Sequence, residues 1–134
     1  MADITGTYKL TSSEHFDDYL KAVGVNFILR KLATTVESAT VEITKNGEEY
    51  TIKTTTAVKS AEIKFKLGEP FTEHTMDGRD VETTFTLEGN LLKQVQHDIK
   101  GGFDSFSDRE FNGDELITTM RCKDAVAVRK YKKE

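Results

Sequence analysis

The chain contains one cysteine, Cys122, and no Asn-x-Ser/Thr acceptor, so no internal disulfide can form and nothing marks it for secretion. Proline is as scarce. Pro70 stands alone, and with no low-complexity stretch and no internal repeat there is no linker to divide the 134 residues. That length holds one domain with a real core. No run approaches the ~20 apolar residues of a membrane span, and Met1-Ala2-Asp3-Ile4-Thr5 has no basic segment leading into an apolar one, so a cytosolic protein is expected. An excess of one charge is missing too: 19 basic against 23 acidic side chains leave a net -4, which supplies no global attraction for nucleic acid. His15, His74, His97 and Cys122 form no metal-ligand spacing, and neither a Gly-x-Ser-x-Gly elbow nor a phosphate-binding loop occurs. No metal, cofactor or catalysis is therefore expected. An acyl-ester hydrolase using Cys122 is the enzymatic alternative, to be set against Cys122 as a small strand residue.

One segment carries a helical period. Phe16, Tyr19, Leu20 and Val23, then Phe27, Ile28, Leu29, Leu32 and Val36, recur at three- and four-residue spacing, broken by Gly24. This predicts two short helices, with Ser12 or Ser13 capping the first, Glu14, Asp17 and Asp18 near its positive end, and Gly24 in a left-handed C-terminal turn. The rest reads as strand. Val41 and Ile43 lead to Lys45-Asn46-Gly47-Glu48 and then Tyr50 and Ile52, a hairpin with an Asn-Gly turn. Similar alternation runs through Val58 to Leu67, Val81 to Leu87, Leu91 to Ile99, Phe103 to Phe111, Leu116 to Cys122 and Ala125 to Tyr131. About ten antiparallel strands result, at turn intervals that suit a sandwich or barrel. Pro70 belongs at a strand start or edge.

Polar residues fall on both faces of several strands, for example Thr51, Lys53 and Thr55 opposite Ile52, Thr54 and Thr56. Such strands pack a dry core poorly. A closed barrel around a large, hydrated cavity accommodates them and leaves no exposed strand edge, with the helix pair capping one end.

In the last strand, Arg129 and Tyr131 lie two residues apart and share a face. Together they suggest an anion clamp: a permanently charged fork beside a hydroxyl donor. Local alternation alone would bury Val126 and Val128 instead and leave Arg129 and Tyr131 in water. Arg109 shares a face with Phe111, opposite Asp108 and Glu110.

Gly6-Thr7-Tyr8-Lys9-Leu10, then His15-Phe16-Asp17-Asp18-Tyr19-Leu20 and Val23, resemble the N-terminal signature of the cytosolic fatty-acid-binding proteins. The likeness continues through Phe65-Lys66-Leu67-Gly68, Asp77-Gly78-Arg79, Arg109-Glu110-Phe111 and Arg129-Lys130-Tyr131, across essentially the whole chain. It implies a ten-stranded antiparallel up-and-down β-barrel with a helix-turn-helix lid, holding a long-chain fatty acid non-covalently. Carried over residue by residue, the carboxylate site falls on Arg109, Arg129 and Tyr131. Phe16, Tyr19, Val23 and Val25 would face the cavity from the lid, with packing under the helices as their alternative role. Asp77 and Arg79 would lie near the mouth, or simply form a good turn. Val58 stands at a portal position where many relatives place Phe. The stretch from Asp98 to Ser107 is longer than in vertebrate heart-type relatives, as in an invertebrate-like branch. Lys21, Arg30 and Lys31 would contact anionic membranes during ligand transfer or, in a second reading, signal nuclear import; a solvated helix face is the plain alternative. A retinoic-acid carrier on the same barrel, and an interaction protein delivering its ligand to enzymes or receptors, remain alternatives. A monomer is expected.

Overall fold

In a computed structural model, which describes residues 3–35, 38–57, 59–75 and 78–134, the elements follow one another as β1 (Gly6–Glu14), α1 (Phe16–Ala22), α2 (Phe27–Thr35), β2 (Ala39–Asn46), β3 (Glu49–Thr56), β4 (Ser60–Lys66), β5 (Phe71–His74), β6 (Asp80–Glu88), β7 (Leu91–Asp98), β8 (Ser105–Asn112), β9 (Glu115–Cys122) and β10 (Ala125–Lys133). The strands pair antiparallel in the order β4-β3-β2-β1-β10-β9-β8-β7-β6-β5, so β1 meets β10 and the meander wraps into a barrel. This is the ten-stranded barrel with a helical lid that the sequence leads one to expect. Val36, Val58 and Asp77 lie outside the described residues.

Full closure is not reached. No ladder joins β4 to β5 among the described residues, so the barrel keeps a seam with two strand edges. β5 has only four residues and follows Pro70, which has no N–H to donate. The connection between them is tied elsewhere: the Gly68 N–H donates to the Phe85 carbonyl on β6 at 2.8 Å. Side chains bridge what the backbone leaves open. Phe65 of β4 stacks on Phe85 of β6 with centroids 3.9 Å apart, flanked by Tyr50 at 5.4 Å from Phe65 and Phe71 of β5 at 6.3 Å from Phe85. Each such aromatic pair adds about 0.5–1.5 kcal/mol beyond its buried area.

Two local expectations are corrected. Ser12 and Ser13 do not cap α1: β1 stays paired with β10 as far as Glu14 opposite Val128, which holds both serines in the strand. The cap position is His15, in the left-handed region at φ 58°, with no side-chain cap. Asn46 likewise belongs to β2, opposite Glu49, so the hairpin loop is Gly47-Glu48. Positive φ is required at its first position, 63°, and Gly47 supplies it without steric cost, as a type II′ turn demands.

The lid junction forms as its sequence suggests. Gly24, at φ 93°, donates its N–H to the Lys21 carbonyl while Val25 donates to that of Leu20, the paired bonds of a Schellman turn. The following residue starts α2. Asn26 Oδ1 accepts from the Leu29 N–H at 2.9 Å, a side-chain cap placed three residues before the bond it satisfies.

Two buried clusters occupy the two ends. One fills the end of the barrel away from the lid, with Ile4, Tyr8, Ile43, Phe85, Leu92 and Leu116 all at or below 2% exposure. The other lies beneath α1, where Tyr19, Leu20, Val23 and Val25 meet Cys122 and Ala127. Among the described residues, no helix is long and apolar enough to cross a membrane.

Candidate functional site

β8, β9 and β10 run side by side, and their register sets the inward side chains in rows. Arg109 is opposite Thr118, and Thr118 is opposite Arg129, so the two arginines flank one threonine in a single row. Neighbouring strands lie about 4.7–4.9 Å apart. Two residues further along, in the direction away from the lid, Phe111, Leu116 and Tyr131 form the next row. A period of two therefore places Tyr131 beside Arg129 on the same wall. The inward face of β10 is the one carrying Ala127, Arg129 and Tyr131, while Val126 is 45% exposed on the outside.

These side chains line a cavity of about 360 Å³. Arg109, Arg129, Tyr131, Thr118, Thr54 and Thr56 belong to its polar part; Ile52, Leu116 and Met120 from the strands, with Phe16, Leu20, Val25 and Leu29 from the lid segment, belong to its apolar part. Lys59 stands at the rim. A smaller recess of about 190 Å³ approaches Arg129 between Ser13, Asp17 and Thr34.

Burial pulls the Arg109 guanidinium below its ordinary pKa, against the opposing influence of Tyr131, Glu73 and Tyr19. Its Nη1 donates to Gln94 Oε1 at 2.8 Å, and its guanidinium carbon lies 5.7 Å from the Phe85 ring centre. Arg129 is held differently. Its guanidinium carbon sits 4.1 Å over the Phe16 ring, and its Nε is buried without a hydrogen-bond partner. A buried cationic donor without a partner is costly unless an anion or water completes it.

Of the remaining residues singled out by sequence, Phe16 and Val25 line the cavity, whereas Tyr19 and Val23 do not. They pack against Cys122 and Ala127, because α1 lies directly on β9 and β10 and its contact side is sealed there. Arg79 lies off the wall, in the β5–β6 connection, where its N–H donates to Thr75 Oγ1 at 2.9 Å. Lys21 and Lys31 are exposed, and Arg30 is tied back: its Nε meets Asp17 at 3.2 Å and its Nη1 donates to the Val25 carbonyl at 2.9 Å.

Sequence reasoning missed a buried polar network on β5 to β8, adjoining the arginine wall, formed by Glu73, Thr83, Gln94, Gln96 and Ser105. One signal for it was present: Gln94 and Gln96 continue the period-two face of buried Leu92 on β7. Glu73, in a four-residue strand between Thr72 and His74, carried no such signal.

The chain matches the family model described as "Lipocalin / cytosolic fatty-acid binding protein family" over residues 5–134. It is 45% identical to a fatty acid-binding protein of Tyrophagus putrescentiae, with 100% of both chains covered. To cellular retinoic acid-binding protein 1 of Hippocampus comes it is 46% identical, with 98% of both chains covered. Among solved structures, the Schistosoma mansoni fatty acid binding protein in complex with arachidonic acid aligns with a TM-score of 0.93 at 34% identity, over 100% of this chain and 98% of that one. With its wrapped meander, its lid and its walled cavity, the chain belongs to the lipocalin and cytosolic fatty-acid-binding protein family.

Proposed function

We propose that the protein carries a long-chain fatty acid inside the barrel, with the carboxylate bound by Arg109, Arg129 and Tyr131 and no chemistry done on it. The observation that carries this reading is the row of Arg109, Thr118 and Arg129 on the wall of one cavity, with an Arg129 Nε that lacks a partner. A carboxylate completes that donor and matches the charge, and bonds of this type are roughly twice as strong as neutral ones. The alkyl tail then lies along Ile52, Leu116, Met120 and the lid, gaining ~0.8 kcal/mol per buried methylene. Headgroup contacts set orientation, and the tail supplies most of the affinity.

Retinoic acid is the second reading, favoured by the similarity to a protein named for that ligand and by a clamp that recognises a carboxylate rather than a particular tail. Extracting the purified protein and identifying the released lipid by mass spectrometry, then competing oleate against all-trans-retinoic acid, distinguishes the two. Preferential release and tighter binding of fatty acid support the first reading. Preference for retinoic acid replaces it, and failure to bind either refutes carriage of a lipid carboxylate.

Loading at a membrane fits the lid. Phe27 and Ile28 are 66% and 77% exposed on α2, beside the exposed Lys31. Apolar side chains next to a cationic group suit an anionic bilayer surface. Lys21 and Lys31 would meet headgroups directly, while Arg30 joins α2 to α1 through Asp17. A monomer working in the cytoplasm, with entry to the nucleus as a further possibility, completes this reading.

A further inference from the structure

The two arginines of the cavity face unequal surroundings, and the difference lies in the polar network of β5 to β8, on Arg109's side. Gln94 receives Arg109 Nη1 on its Oε1 at 2.8 Å and turns its Nε2 to Glu73 Oε1 at 3.1 Å. Thr83 Oγ1 and Gln96 Nε2 donate to the same carboxylate oxygen at 2.7 and 3.2 Å, and Ser105 Oγ fixes the Gln96 amide through its Oε1 at 2.8 Å. Glu73, Thr83, Gln94, Gln96 and Ser105 are all buried. Three donors thus converge on one carboxylate oxygen and satisfy it inside the protein. The Gln94 amide is aligned with its carbonyl toward the cation and its NH₂ toward the anion, which couples the two charges through a low-dielectric interior. Arg129 has no such relay: a Phe16 ring lies under it and its Nε is unpartnered.

We propose that Glu73, acting through Gln94, offsets the charge of Arg109, so that the cavity presents one net positive charge and selects lipids bearing a single negative charge over those bearing two. This rests on the lipid-carrier reading above and deepens it, since it assigns the charge class of the headgroup to a residue outside the carboxylate clamp. Of the two guanidiniums, Arg109 is offset by Glu73, and Arg129, whose outer recess reaches an Asp17 already paired with Arg30, is left as the cation that meets the ligand. Lys59 at the rim is exposed and is screened by solvent. A monoanion closes the count. A dianion would bring a second negative charge into the interior with no second unpaired buried cation among the described residues to meet it, and burying an unpaired charge is strongly unfavourable. Glu73 is a positioning residue, because it reaches the ligand only through Arg109.

The test compares hexadecyl sulfate with hexadecyl phosphate, two ligands with the same tail and a tetrahedral head, each displacing a fluorescent fatty-acid probe below its micelle concentration. At a pH about two units above the phosphate's second pKa of ~6, the sulfate carries one charge and the phosphate two. Wild-type protein is expected to bind the sulfate at least about tenfold more tightly, and Glu73→Gln to shrink that ratio by about tenfold, mainly by gaining affinity for the phosphate. A network with a purely structural role would weaken both ligands alike and leave the ratio unmoved, and that result refutes the proposal. Glu73→Asp, which keeps the charge, should restore selectivity toward the wild-type ratio. If Glu73→Gln does not fold, the wild-type ratio decides: equal affinities for the two ligands overturn the proposal without any variant. Oleate measured in parallel separates the two levels. Oleate bound with a sulfate-to-phosphate ratio near one refutes charge selection alone, whereas no oleate binding refutes carriage and this inference together.

Discussion

Replacing Arg129 by glutamine should make the empty protein more stable and the loaded protein weaker. Arg129 rests on the Phe16 ring at 4.1 Å, a contact of about 0.5–2 kcal/mol depending on desolvation, and holds a buried Nε with no protein partner. The residual cost of a buried charge in proteins is several kcal/mol even after relaxation. The small recess that reaches Arg129 admits some solvent and reduces that cost, so the net gain from removing the charge is about 1 kcal/mol. For a chain of 134 residues this raises Tm by about 4 °C. Binding moves the other way: losing a charge-assisted bond to a carboxylate removes about 1–3 kcal/mol, or roughly 5- to 150-fold in Kd. Arg109→Gln is the control, because its guanidinium already satisfies Gln94 at 2.8 Å. Removing it strands the Gln94 carbonyl and the Glu73 charge behind it, so this variant should lose stability as well as affinity. Thermal unfolding of delipidated protein and displacement of a fluorescent fatty acid by oleate measure both quantities. Arg129→Gln with lowered apo Tm, or with unchanged oleate affinity, contradicts the reasoning.

Stability should fall in alkali. Burial pushes the Cys122 thiol and the Tyr8 phenol above their ordinary values. Between about pH 8.5 and 10 the unfolded chain therefore releases protons that the folded chain retains, so the stability present below that window is lost as pH rises through it. Urea midpoints at pH 7, 9 and 10 should decrease in that order, and Cys122→Ser should flatten the first step; a flat series counts against it. Asn26→Ala removes the α2 cap seen in the 2.9 Å bond to Leu29 N–H and should cost about 1 kcal/mol, read as faster amide exchange confined to α2. Exchange unchanged in that helix would mean the cap contributes nothing.

The lid and the strand count were legible because both are local. Gly24 between two apolar periods, and glycine-bearing turns between alternating runs, state their conformations within a few residues. The errors also have local causes. Ser12 and Ser13 look like caps until β1 is seen to remain paired with β10, and Asn46-Gly47 looks like the hairpin loop until Asn46 is seen opposite Glu49. In each case strand pairing overrode a residue preference, across the whole chain for β1 with β10 and within one hairpin for β2 with β3. Tyr19 and Val23 show the same limit: the helical period marks them as buried, and only the seating of α1 on β9 and β10 shows what they pack against.

By itself the sequence determined one barrel-sized set of strands, a two-helix lid and a shared face for Arg129 and Tyr131, because periods of 2 and 3.6 and the turns that interrupt them are written in neighbouring residues. Which face of β10 is inside was decided by the wrapped sheet, which turns Ala127, Arg129 and Tyr131 inward and leaves Val126 outside. The row joining Arg109 to Arg129 through Thr118, and the relay from Arg109 through Gln94 to Glu73, likewise exist only after folding. Alternation defines two faces without orienting them, and register between strands is set by the pairing itself, which no single strand's sequence states. The chemistry of this cavity depends on both.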